Sequence, residues 1–463
     1  MALNYNDPTR PTWRTLQRRI HQERRYRRGL FWRRVGLLVV LIIAAGALIG
    51  AIEHNPLTRL FLADATIRND AARHRPSGLT VPLDKRQLPE LLGEAPVANL
   101  DQPRFEVIHE GVPLTVETGL DMDLQHYLLA QLNPAHALYI GIVAMEPSTG
   151  RILAMVGHDK NTPANNPCTA TLLPAASIFK IVTAAAALEG QGLRPESTLA
   201  YTGSKYTLYH SQLKPKAPKN ANKISFKDSF AQSVNPVFGK LGALNLGKDK
   251  LSAQAQAFGF NRPIDFELGL SPSSVTITED PYELAEVASG FNRHTSITPV
   301  HGAMIAGAVV NKGRMMAPWI VETISDPQGQ AIYRSNGRAL GQAMAPASTT
   351  AMKEMMNATI TSGTCKKTFR GHRQDPVLSK LTIGGKTGSI NTEDGQARVD
   401  WFVGFAQPAD AGQAIAIGVV VAHEAYIGVK ANQYAMMAMK HYFQTIFAKA
   451  KNGLPAAAPR SAG

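Results

Sequence analysis

The 463-residue sequence predicts an α+β fold: an antiparallel sheet built from both ends of one domain, flanking helices, and a mostly helical subdomain between them, behind one N-terminal transmembrane helix. Three observations carry this expectation. Strand-like runs open and close the segment 116–450, helical patterns fill its middle, and an uncharged apolar run lies close to the N-terminus.

That apolar run is Val35 to Ile52, eighteen residues without a charge. As a helix it spans roughly 27 Å, the short end of what a bilayer core requires. Residues 1–34 carry ten arginines against Asp7 and Glu23, so eight of the fourteen net positive charges precede the run. An arginine-rich flank keeps its side of the membrane cytoplasmic. The run is longer than the apolar core of a cleaved signal peptide, about 7–15 residues, so an uncleaved anchor is expected. The reading is therefore a cytoplasmic tail 1–34, a single membrane helix 35–52, and everything beyond it extracytoplasmic. Membrane topology accounts for the arginines, and no nucleic-acid partner is expected.

Composition narrows the class further. Hydrophobic residues at 44% and charged residues at 18% allow a sizeable core. Two cysteines, Cys168 and Cys365, make neither a disulfide framework nor a zinc cluster, and whether they pair or stay free is left open. Thirteen histidines show no metal-ligand spacing, so no metal and no cofactor are expected.

Along the chain, residues 53–115 are proline-rich and without sustained periodicity, which reads as a stalk or small extended module. Asp121 is placed to cap a helix through Leu124, Leu128, Leu129 and Leu132. Tyr139–Met145 and Arg151–Val156 form a hairpin across Pro147-Ser148-Thr149-Gly150. A helix follows from the Ser177 region to Gly190. Residues 225–260, 281–312 and 348–360 are mainly helical. Strands return at Leu381–Ile383, Trp401–Ala406 and Ala414–Val421, and a last helix runs from about Asn432 to Ala448. The tail 451–463 is rich in proline and alanine and reads as disordered.

The chemistry is concentrated in three short motifs. Ser177 and Lys180 are three residues apart, so on a helix they share a face. A serine hydroxyl is a poor nucleophile unless a base takes its proton. Burial among Ile178, Phe179, Ile181 and Val182 lowers a lysine pKa enough for that task. A helix N-terminus adds free N–H groups where an oxyanion would form. Ser233-Val234-Asn235 lies in a polar patch within helical sequence. Lys386-Thr387-Gly388-Ser389 ends a strand. Each alone is weak; the ordered triple S-x-x-K, S-x-N, K-T-G is specific.

With these motifs the chain resembles the transpeptidase domain of penicillin-binding proteins, over about Val116 to His441. Thr118 to Gln125 resembles that domain's opening. Thr298-Pro299-Val300-His301 with Val310-Asn311-Lys312-Gly313, and Asp400 to Phe405 after K-T-G, resemble further family elements. The pattern departs in two places: Ala175-Ala176 stands where the family usually has Pro-Gly leading into the nucleophile, and Ser389 stands where many members have threonine.

The resemblance implies a peptidoglycan D,D-transpeptidase that crosslinks stem peptides and is sensitive to β-lactams. It makes Ser177 the acylated nucleophile, Lys180 its base and Ser233 a proton relay. Asn235 would hold the peptide amide. Lys386, Thr387 and Ser389 would bind the terminal carboxylate, with Gly388 letting substrate approach the strand edge. Stem peptides and β-lactams are the expected ligands, and a glycan-polymerising synthase is a conceivable partner. D,D-carboxypeptidase action and a non-turnover β-lactam receptor or scaffold are the alternatives. A class A β-lactamase is disfavoured, because Glu279, Glu283 and Glu286 read as helix-start and surface carboxylates rather than a deacylating base. Lysines 205, 214, 216, 219, 223 and 227 form a basic run just before Ser233 that could attract an anionic peptide or simply be solvated.

Overall fold

A computed structural model describes residues 83–93, 97–170, 172–410 and 412–452 of the chain. The predicted tail 1–34, membrane helix 35–52 and the residues 453–463 lie outside the described residues. Among the described residues no helix is long and apolar enough to cross a membrane.

In chain order the strands that matter here are β1 (Arg104–His109), β2 (Val112–Thr118), β3 (Ala137–Met145), β4 (Ile152–Asp159), β5 (Val321–Ser325), β6 (Ala331–Arg334), β7 (Leu381–Asn391), β8 (Arg398–Pro408) and β9 (Ile415–His423). The helices used below are α1 (Met122–Gln131), α2 (Lys180–Gly190), α3 (Phe226–Ala231), α4 (Asn235–Lys240), α5 (Gly247–Ala257), α6 (Pro281–Ser289), α7 (Pro299–Val310), α8 (Pro346–Thr361) and α9 (Ala431–Lys451).

The main sheet is antiparallel in the order β7-β8-β9-β3-β4. Early and late strands thus meet at β9 and β3, where Val143 faces Gly418. This is the sheet closed by both ends of the domain that the sequence predicts. Strands buried on both faces read as unbroken apolar runs, and Ile415 to His423 is buried at every position. One face packs against α1 and α9, with Leu124, Leu128, Phe402, Tyr434 and Phe443 in its core. The other packs against α7, whose twelve residues are all buried, and through it against α2 and the helices of the inserted part. Asp121 caps α1 as expected, accepting from Leu124 N at 3.1 Å. Cys168 and Cys365 are both buried free thiols.

One expectation is corrected. The described part of the predicted stalk, residues 83–93 and 97–115, is folded onto the domain rather than extended. β1 and β2 form a hairpin whose two-residue loop, Glu110-Gly111, has positive φ at both positions (50° and 80°), the twist that suits a tight hairpin. β2 then pairs with β5, and β5 with β6, in a second antiparallel sheet β1-β2-β5-β6. Lys85 adds a salt bridge at 3.3 Å to the fully buried Glu267. The other partner of β2, β5, lies some two hundred residues further on, so no local period reveals it.

Candidate active site

Ser177 lies in a 3-10 turn, Ala176–Phe179, that runs straight into α2, so nucleophile and base candidate sit on one face at the start of a helix. The turn is held from outside. Trp401 of β8, fully buried, donates through Nε1 to Pro174 O at 2.8 Å, and Ala175 N donates to Thr295 O at 2.8 Å. Ala176 has φ 48°, in the left-handed region that favours glycine. An L-residue there is strained by about 1–2 kcal/mol. The alanine that departs from the family pattern thus occupies a conformation glycine adopts freely.

Lys180 is completely buried. Its Nζ donates to Ser177 Oγ at 2.8 Å, to Asn235 Oδ1 at 2.8 Å and to the Ser289 carbonyl. None of these partners is a carboxylate. Burial, reinforced by the positive charge of Lys386, holds its pKa well below the ordinary lysine range. The Phe238 ring, 5.6 Å from Nζ, closes the apolar side.

Ser233 and Asn235 bracket the loop between α3 and α4. Ser233 takes φ 58°, a second strained residue in the site. Asn235 is held on three sides: its N–H donates to Lys205 O at 2.7 Å, Nδ2 donates to Tyr206 O at 3.1 Å, and Oδ1 accepts from Lys180.

β7 is the edge strand of the main sheet, and its Lys386-Thr387-Gly388-Ser389 segment runs past the Ser177 turn. A Cβ on Gly388 would lie 3.1 Å from Ala175 O and from Ala176 Cβ, so only glycine lets the strand come this close without displacing the turn. Lys386 points inward and is completely buried. Its Nζ donates to Ser233 Oγ and to Thr387 O, both at 3.0 Å, and lies 5.6 Å from the Phe230 ring. Thr387 Oγ1 is 2.6 Å from Thr364 Oγ1, and the exposed Ser389 hydroxyl accepts from Arg398 Nε at 3.0 Å. Of the residues expected to hold a carboxylate, Thr387 and Ser389 reach the surface while Lys386 acts from beneath them.

All eight predicted site residues are therefore drawn into one locus, through the chain of contacts Ser177–Lys180–Asn235 and Ser233–Lys386, with Thr387, Gly388 and Ser389 alongside. Two of the acids weighed earlier have partners elsewhere. Glu283 bonds Thr278 Oγ1 at 2.6 Å at the start of α6, and Glu279 pairs with Lys248 at 3.4 Å. Residues not singled out from sequence also build the site: Ser289 and Gly290 at the end of α6, Thr364, Trp401 and Arg398. Gly290 had a visible signal as a helix-ending glycine, and Trp401 as part of the segment after K-T-G; the others had none.

Burial pushes the Lys386 pKa down to about 7, against about 10.4 in an unfolded chain. Between those values the unfolded chain holds one more proton than the folded one, so this group makes stability rise with pH there and leaves it level below about 7. Lys386→Met is expected to remove that rise. The variant should melt higher than wild type at pH 6, with the gap closing toward pH 9. Melting curves that run parallel from pH 6 to 9 would contradict the buried-charge account.

The family model for the penicillin-binding protein transpeptidase domain matches residues 140–440, well over half of the chain. The chain belongs to this family. Among curated relatives, the peptidoglycan D,D-transpeptidase PbpA of Mycolicibacterium smegmatis is 28% identical over 311 residues, 60% of this chain and 60% of that protein. Stage V sporulation protein D of Bacillus subtilis is 26% identical over 64% of this chain and 48% of its own length. The match thus spans between about half and three-fifths of the length of these relatives. Among solved structures, the D,D-transpeptidase domain of a peptidoglycan glycosyltransferase from Eggerthella lenta superposes with a TM-score of 0.59 at 24% identity, over 72% of this chain and 83% of that one. Penicillin-binding protein A of M. tuberculosis, captured as an imipenem acyl-enzyme, gives 0.57 at 23% identity over 71% and 79%. These structural likenesses establish the transpeptidase fold.

Proposed function

We propose that this chain is a membrane-anchored peptidoglycan D,D-transpeptidase acting through a Ser177 acyl-enzyme and inhibited by β-lactams. One observation carries the reading: a wholly buried amine, Lys180, without a carboxylate partner, 2.8 Å from the Ser177 hydroxyl.

A neutral Lys180 has two N–H bonds and one lone pair. Asn235 Oδ1 and the Ser289 carbonyl can only accept, so they take the two N–H bonds and leave the lone pair to the Ser177 O–H. Ser177 then attacks the carbonyl of a D-Ala-D-Ala bond or of a β-lactam ring, and its proton passes to Lys180. The C–N bond breaks as the leaving amine gains a proton through Ser233, whose Oγ accepts from Lys386. Backbone N–H groups of Ser177 and Ser389 would stabilise the oxyanion, a contribution of about 3 kcal/mol for a donor of this kind. Thr387 and Ser389 would take the terminal carboxylate, with the positive charge of Lys386 behind them. A second stem peptide's amine resolves the acyl-enzyme as an amide, regenerating the Ser177 hydroxyl. An extended peptide can lie along the free edge of β7. Residues 35–52 would anchor the chain, with 1–34 cytoplasmic and the catalytic domain outside.

The full chain should bind fluorescent penicillin covalently and form crosslinked product from a peptidoglycan precursor. Ser177→Ala should abolish both. Labelling that survives the substitution would remove Ser177 as nucleophile. Labelling without product would favour a β-lactam receptor, and release of D-alanine without crosslinks would favour a carboxypeptidase.

A further inference from the structure

The basic run before Ser233 is not one patch. Lys205 donates to Gln232 Oε1 beside the S-x-N loop, and Lys227 pairs with Glu354 at 2.8 Å. Lys214 and Lys216 instead line an open cleft of about 360 Å³, where Lys240 joins them from α4. No acidic side chain lines this cleft. Among the described residues none of these three lysines has an ion-pair partner. Thr202 and Ser211 bring hydroxyl groups to the same wall. Partial burial without a counter-charge lowers the Lys240 pKa, the state of a cation that gains from an arriving anion.

The cleft is built on the same pieces as the active site. Lys240 ends the helix that Asn235 begins, about 8 Å along the axis. The loop whose Lys205 and Tyr206 carbonyls hold Asn235 continues through Ser211 and Gln212 into the cleft, and Gln212 Nε2 donates to Thr202 O at 2.7 Å to shape it.

We propose that this cleft is a second substrate subsite, which takes free carboxylates of an acidic peptide whose reacting end lies at Ser177. The inference deepens the transpeptidase reading and rests on it for the identity of the peptide. A carboxylate fits better than a phosphate polymer because the cleft is one short helix away from a peptide site. It also presents separate ammonium groups rather than the guanidinium fork suited to phosphate.

The test uses the full chain and a rhodamine-labelled pentapeptide with two free side-chain carboxylates, beside the same peptide with both amidated. Lys214→Gln/Lys216→Gln/Lys240→Met should weaken the carboxylate peptide about tenfold and flatten its salt dependence. The amidated peptide should bind wild type and variant alike, and penicillin labelling should stay within twofold of wild type. Should the triple variant melt early, the single exposed change Lys216→Glu should still weaken the carboxylate peptide several-fold. Equal affinity of wild type and variant for the carboxylate peptide overturns the proposal. So does displacement of both peptides alike by millimolar inorganic phosphate, which would mark a phosphate site. If the peptide responds to the lysines while penicillin labels nothing, the subsite stands and the transpeptidase reading falls.

Discussion

Lys180→Met is expected to slow covalent labelling by penicillin at least about a thousandfold, within the range that loss of a positioned general base produces. Methionine matches the aliphatic length of lysine and fills the pocket beside Phe238, so the fold should survive. It removes a group whose charged form is penalised by burial, so the melting temperature at neutral pH should hold or rise. The combination separates chemistry from folding: the rate collapses while the structure does not. Lys180→Arg should not rescue labelling, because a guanidinium stays protonated and cannot accept the Ser177 proton. Second-order labelling rates and thermal melts on the same preparations check both halves. A methionine variant labelling within tenfold of wild type would rule out Lys180 as the base.

Gly290→Ala is expected to cut labelling by about a hundredfold, the scale of loss that a misplacement of about 1 Å produces. Gly290 ends α6 at φ 64°, and a Cβ there would lie 1.9 Å from Ala176 O and 3.0 Å from Ser177 N. Both are backbone atoms of the nucleophile turn and cannot swing aside. The preceding residue, Ser289, supplies the carbonyl that accepts from Lys180. One methyl group therefore displaces the nucleophile and a partner of its base together. Gly192→Ala is the control. It shares the left-handed backbone, at φ 62°, with nothing within 4 Å of the added methyl. It should cost about 1 kcal/mol of stability and leave labelling unchanged. Equal labelling by the two variants would show that the Gly290 contact does not position the site.

The chemical inventory was legible in the chain. Lys386 to Ser389, read as the end of a strand, lie inside β7, which runs on to Asn391; Ser177 and Lys180 at helical spacing and Ser233-Val234-Asn235 in a polar patch fall where the sequence places them. So do the hairpin β3–β4, the start of α1 at Asp121 and the sheet drawn from both ends. These features depend on short-range spacing, which survives in a linear reading. β1 and β2 were not legible as sheet. β2 does alternate, with Leu114, Val116 and Thr118 buried, but β1 is no more than half-buried at any position and the stabilising partner β5 is remote in sequence. The tight turn at Glu110-Gly111 lacks the asparagine or aspartate that marks most such hairpins.

The lysines mark the boundary between the two kinds of information. The sequence by itself determined which residues are present, that an amine sits one turn from a hydroxyl, and that a second amine follows a strand-forming run. Only the tertiary structure decided that both amines are wholly buried and carry no carboxylate partner, and that one faces Ser177 while the other faces Ser233. The same holds for Lys214, Lys216 and Lys240, whose common cleft joins positions from a loop and a helix. The physical reason is desolvation: a pKa is set by which atoms replace water around a charge. Those atoms, from Phe230 and Phe238 to the Ser289 carbonyl, come from distant parts of the chain that meet only on folding.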